Sequence, residues 1–172
     1  MRQRELLMLF DYMYWANRRV LATAAKLTDA QFTLPSVIAG RDLRATLVHT
    51  LDVEMSWRRR LQRRPAAEWQ KSLAVSDYRK VATLADHWKR DEAEMREWIA
   101  TLDDDALACN AVLDPDPTKA QPPLWYFLVH MVTHSHQHGA ESAQLLTQLG
   151  RSPGDLDFLD YADALRGSGQ PV

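Results

Sequence analysis

Apolar residues recur along this chain at intervals of three and four, the repeat that gathers side chains on one side of an α-helix. Four long segments carry the pattern. Between about residues 4 and 26, Leu6, Phe10, Met13, Val20, Leu21 and Ala24 share a face, with Asn17 as a polar guest. Between 42 and 63 the apolar side is Leu43, Leu47, Thr50, Leu51, Trp57 and Leu61. Between 77 and 102, Val81, Leu84, Trp88, Asp91, Met95, Trp98, Ile99 and Leu102 line up. The fourth segment, 123 to 149, has Pro122 and Pro123 at its start, Gly150 just past its end and Pro153 beyond. Proline fits a first helical turn, and glycine fits the left-handed residue that closes a helix.

Strand-like alternation is hard to find, so the expectation is an all-α protein. Four helices of this length read as a four-helix bundle in one domain, residues 1–172. Two longer connections, 27–41 and 103–123, interrupt the pattern and argue against a simple up-down-up-down chain. The first is expected to hold a short helical turn. The tail at 154–167 is expected to add a short helix.

Composition narrows the class. Hydrophobic residues make up 46% and charged residues 26%, as in ordinary globular domains. Lys plus Arg is 21 against 23 Asp plus Glu, which gives no basic footprint for nucleic acid. The run RRRLQRR at 58–64 reads first as a solvated helix end, where cations complement the helix dipole. The N-terminal apolar run reads as too short for a secretory signal, and no stretch approaches the roughly 18 apolar residues of a membrane helix. Cys109 is the one cysteine. It excludes an intrachain disulfide and suits a cytoplasmic protein; we expect it to be a small buried or loop residue.

The candidate chemistry lies in VHMVTHSHQHGAE, residues 129–141, which holds four of the six histidines. His130, His134 and His138 share a helix face, whereas His136 points more than about 150° away from His134 and is expected in solvent. His130 and His138 stand roughly 12 Å apart along the axis, so one ion can take only an adjacent pair. Paired His at i and i+4 is a metal-ligand spacing, but it also occurs on solvated faces. The Glu of a zincin motif is missing, since positions 135–137 are Ser, His and Gln. A third ligand must come from elsewhere, and the remaining histidines are His49 and His87. Glu141 is a candidate fourth ligand, base or plain surface carboxylate. Tyr12, Tyr14, Trp15 and Asn17 could line a pocket, or pack in the core or at a dimer interface.

Four pieces of the chain, in order and spacing, resemble the DinB-like superfamily of damage-inducible proteins and bacterial thiol-dependent transferases. They are LFDYMYWANRRVL, LRATLVHTLDVEMSWRRRL, HMVTHSHQHGAESAQLLTQLG and DFLDY. The resemblance implies a four-helix bundle with a long crossover connection, often a homodimer, holding one divalent metal ion per chain (Zn, Ni or Fe). It selects His49, His134 and His138 as the metal ligands. It implies an enzyme that adds or transfers a low-molecular-weight thiol to a small electrophile. The alternatives are a metal-dependent hydrolase and a non-enzymatic, stress-related metal-binding bundle. Many relatives read His-Arg-Gly-Gln where this chain has His138, Gly139, Ala140 and Glu141. The two small residues are expected to leave room for a close helix contact.

Overall fold

Each long periodic segment forms a helix in the computed structural model, which describes residues 1–35, 40–113, 116, 118, 119 and 121–167. They are α1 (Gln3–Ala24), α3 (Leu43–Leu61), α5 (Val81–Ala100) and α7 (Leu124–Gln148). Short helices fill the connections: α2 (Asp29–Phe32), α4 (Ala66–Trp69) and α6 (Asp104–Ala108), with a 3-10 turn at Val75–Asp77. The last described element is α8 (Phe158–Gly167). Thus both short helices expected from the sequence, in 27–41 and in the tail, are present. Pro115 and Pro117, which helped to mark the second long connection, lie outside the described residues, as do 36–39 within the first.

Local chemistry sets the helix ends. The Asp42 carboxylate accepts from the Ala45 backbone N–H at 2.6 Å and caps α3, satisfying a donor that has no partner inside the helix. Gly150 closes α7 with φ of 73°, and Arg151 N–H reaches back to the Leu146 carbonyl at 2.8 Å. The same closure ends α3 without a glycine. Arg63 takes φ of 57°, and Arg64 N–H bonds the Arg59 carbonyl at 3.0 Å. A side chain in that conformation costs roughly 1–2 kcal/mol.

Contacts between side chains give the helix directions. Gln3 meets the Ile99 and Leu102 carbonyls, and Arg18 pairs with Glu92, so α1 and α5 run antiparallel. Glu54 meets Trp88 and Arg58 meets Asp91 and Glu94, so α3 and α5 run parallel. His49 lies by His134 and His138 while Trp57 lies by Phe127, so α3 and α7 are antiparallel. Helix α7 packs on α1 and α3, and α5 packs on the same two from the other side. Parallel neighbours need a connection that returns along their length. That connection is residues 62–80, and the Leu73 N–H is tied to the Asp52 carboxylate at 2.8 Å on the way. The sequence marked 27–41 and 103–123 as the long connections. Periodicity does not report helix direction, so the segment that makes the crossover escaped notice.

Leu6, Phe10, Met13, Leu51, Leu84, Met95, Ile99, Leu128 and Met131 are among the fully buried core side chains, each stabilising the fold by about 1.5–3 kcal/mol. Polar side chains also enter this core, among them two linked groups. Arg58 is 4% exposed and forms a buried ion pair with Asp91, with Glu94 at 2.7 Å on its outer side. The arginine run is therefore not wholly a solvated end: Arg58 points inward because it falls on the α3 stripe seven residues after Leu51.

The second group is a layer with one residue from each long helix. Glu54 of α3, fully buried, accepts from Trp88 Nε1 of α5 at 2.9 Å and from Asn17 Nδ2 of α1 at 3.3 Å. Ser135 of α7 donates to Asn17 Oδ1 at 3.1 Å. Burial, with the nearby Asp91 charge adding to it, raises the Glu54 pKa to about 8 despite these donors. Its surroundings thus favour the protonated carboxyl.

Candidate metal centre

The seam between α3 and α7 brings His49, His134 and His138 together. Ring centroids are 5.2 Å apart for His49 and His134, 4.9 Å for His49 and His138, and 4.4 Å for His134 and His138. One nitrogen from each ring lies within 4.8 Å of the others. The three rings are close enough to converge on one ion, which imidazole binds at about 2.0–2.1 Å. The geometry follows from helix periodicity: His134 and His138 are one turn apart, and the antiparallel α3 presents His49 across the seam.

The donor set fits a divalent cation. Burial lowers the His134 pKa to about 4, helped by the charges that His138 and His49 would otherwise carry. Burial also lowers His49, with Arg41 adding to the effect. These rings are therefore neutral near pH 7 and keep the lone pairs a metal requires. His134 Nδ1 is buried without a hydrogen-bond partner, an arrangement that costs free energy. His138 is buried, while His49 and His134 are partly exposed, so small molecules can approach.

Around the trio, Glu141 Oε2 lies 2.7 Å from His138 Nδ1. Partial burial would raise the Glu141 pKa, but hydrogen bonds from His138 and Gln137 outweigh it, and the net shift is downward. The carboxylate is thus a partner of a trio histidine.

The other histidines are engaged elsewhere. His87 Nδ1 is bonded to the Tyr78 hydroxyl at 2.7 Å and helps to hold the crossover on α5. His130 is exposed and sits edge-on to Trp57 at 5.7 Å and near His134 at 5.8 Å. His136 is exposed, as expected, yet it is not simply solvated. The Tyr12 hydroxyl donates to the Leu156 carbonyl at 2.8 Å and its oxygen lies 2.7 Å from His136 Nδ1. That pair, with Phe158 and Tyr161 packed on Tyr12, fastens the C-terminal segment to the bundle.

The aromatic candidates of helix one also divide. Tyr14 and Asn17 are buried, and together with Trp88 they border a groove of about 940 Å³ between α1 and α5, on the far side of the bundle from the trio. Trp15 packs on Tyr12 and Tyr161. Cys109 is a loop residue, but an exposed one, at the end of α6. Gly139 is buried, but a Cβ there would meet nothing within 4 Å. The close helix contact expected at this glycine is absent.

The sequence did not single out Glu54. Its signal was present: it lies three residues after Leu51 and seven after Leu47, on the apolar stripe of α3.

No curated protein matches the chain. A family model described as "DinB family" matches residues 1–170, which is nearly its whole length. An all-helical bundle whose histidine trio could hold a metal accords with that match, and the chain belongs to the DinB family.

Proposed function

We propose that this protein is a divalent-metal-dependent enzyme that adds or transfers a low-molecular-weight thiol to a small electrophile. The observation that carries the reading is the all-imidazole trio, partly open to solvent, on two rigid helices. A divalent cation bound there supplies Lewis acidity that favours the anionic form of a thiol or a water. Neutral donors suit that role, because they leave the charge of the ion undiminished. His49, His134 and His138 hold the ion, and the half-exposed side of the trio admits the reactants. Cys109 is outside the trio, so the attacking sulfur belongs to a cosubstrate.

The test is elemental analysis followed by a thiol-consumption assay. We expect close to one divalent ion per chain, and metal-dependent loss of a bacterial low-molecular-weight thiol when an electrophile is supplied. His49→Ala should abolish both. Hydrolysis of model esters or amides without thiol consumption would reassign the protein as a hydrolase. Bound metal with neither activity would make it a non-enzymatic metal-binding bundle. Full metal retention in the alanine variants of all three histidines would remove the site itself.

A further inference from the structure

The two α7 histidines of the trio are not equivalent. His134 has a buried Nδ1 with no partner, whereas His138 Nδ1 is held by Glu141 Oε2 at 2.7 Å. We infer that Glu141 is a positioning residue for the metal centre: it fixes His138 in the tautomer and ring orientation that present Nε2 to a divalent cation.

The argument is one of hydrogen-bond roles. A carboxylate only accepts, so the proton of a neutral imidazole facing it must sit on Nδ1. The lone pair then resides on Nε2, the nitrogen left to enter the trio. The contact is made between i and i+3 on the 25-residue α7, so helix geometry and not a loop sets it. The pair is sheltered, with side-chain exposures of 8% for His138 and 20% for Glu141. Gln137 Nε2 lies 3.4 Å from the other carboxylate oxygen and restrains it from the exposed side. An imidazole ligand oriented in this way is also more basic, and loss of such partners typically weakens metal binding by about 10–100-fold. A glutamine at 141 could still accept from Nδ1, but its amide could equally turn its NH₂ toward the ring. It would neither impose the tautomer nor bring a charge. The inference rests on the metal-binding reading above.

The test uses the full chain stripped of metal: wild type, Glu141→Gln and Glu141→Ala. Each is titrated with Zn²⁺ against a chromophoric chelator, and with Co²⁺ while the visible absorption is followed. We expect the dissociation constant to rise about tenfold in Glu141→Gln and up to about 100-fold in Glu141→Ala. Thermal unfolding of the metal-free variants should stay within a few degrees of wild type. At saturation the cobalt bands should keep their wild-type positions, because the ligand set is unchanged. Wild-type affinity in both variants would overturn the inference while leaving the metal site standing. A changed cobalt spectrum at saturation would also overturn it, by making Glu141 itself a ligand. A wild-type protein that binds neither ion would bring down the metal-binding reading and this inference together.

Discussion

At the centre of the bundle, Asn17, Glu54, Trp88 and Ser135 bring one side chain from each long helix and hydrogen-bond to one another. At the α3–α7 seam, His49, His134 and His138 come from two helices only, stand partly in solvent, and leave His134 Nδ1 without a partner. Both clusters put polar groups where a helical bundle would ordinarily place leucine. The first satisfies its members internally and can specify which helix faces which. The second leaves a buried nitrogen of one member unpaired. Burial, completeness of hydrogen bonding and access together separate a structural polar cluster from a candidate ligand site; residue type alone does not. Glu54 and His134 carry the same lesson in their ionisation. Burial drives each to its neutral form, by raising the carboxyl and lowering the imidazole.

The comparison breaks most visibly at His134. Replacing it with alanine should remove metal binding outright, measured by elemental analysis, with little loss of metal-free stability because an unpartnered buried nitrogen leaves with it. Equal metal content in the variant would erase the distinction between the clusters.

Next in size is Glu54→Gln, which should stabilise the protein in a pH-dependent way. The unfolded carboxyl ionises near the ordinary value of 4.5, while the folded one keeps its proton up to about 8. Between those values the unfolded state binds fewer protons, so wild-type stability falls as pH rises. Glutamine does not titrate. The advantage of the variant should therefore grow between pH 4.5 and 8, by up to about 1.4 kcal/mol per pH unit, and level off above. Denaturant melts at several pH values read this directly; a constant difference would mean that Glu54 is not buried neutral.

Ser135→Ala should cost about 1–3 kcal/mol, since it strips a donor from Asn17 Oδ1 in the core. Metal affinity should be unchanged even though Ser135 adjoins His134; a large fall in affinity would fuse the two clusters into one. The smallest effect is expected at Gly139. Alanine there meets open space, so better helix propensity should add up to about 1 kcal/mol without touching the metal. Destabilisation would show that this glycine answers a constraint not visible in the static packing.

Much of the fold was legible because burial writes a period into the sequence. The segments expected at 4–26, 42–63, 77–102 and 123–149 lie close to α1, α3, α5 and α7. Asn17 and Asp91 fell on apolar faces in the sequence, and both prove buried. The i,i+4 relation of His134 and His138 was readable for the same reason. What periodicity could not convey was direction across the bundle. The parallel pairing of α3 with α5, the role of residues 62–80 and the meeting of Arg58 with Asp91 depend on contacts between distant segments. His49 illustrates the boundary. Its own neighbourhood did not separate it from His87; resemblance to a family did, and the antiparallel α3–α7 seam supplies the geometry.

That seam also has a consequence for the chain when it is unfolded. The crossover and the third long helix lie between residues 49 and 134, so an ion held by both clips together ends of a long loop. An unfolded chain forfeits that link and regains the loop's freedom, whereas the folded chain offers it ready-made. Scarcity of the ion would thus register as easier opening of the whole bundle, and melting temperature would track free metal concentration.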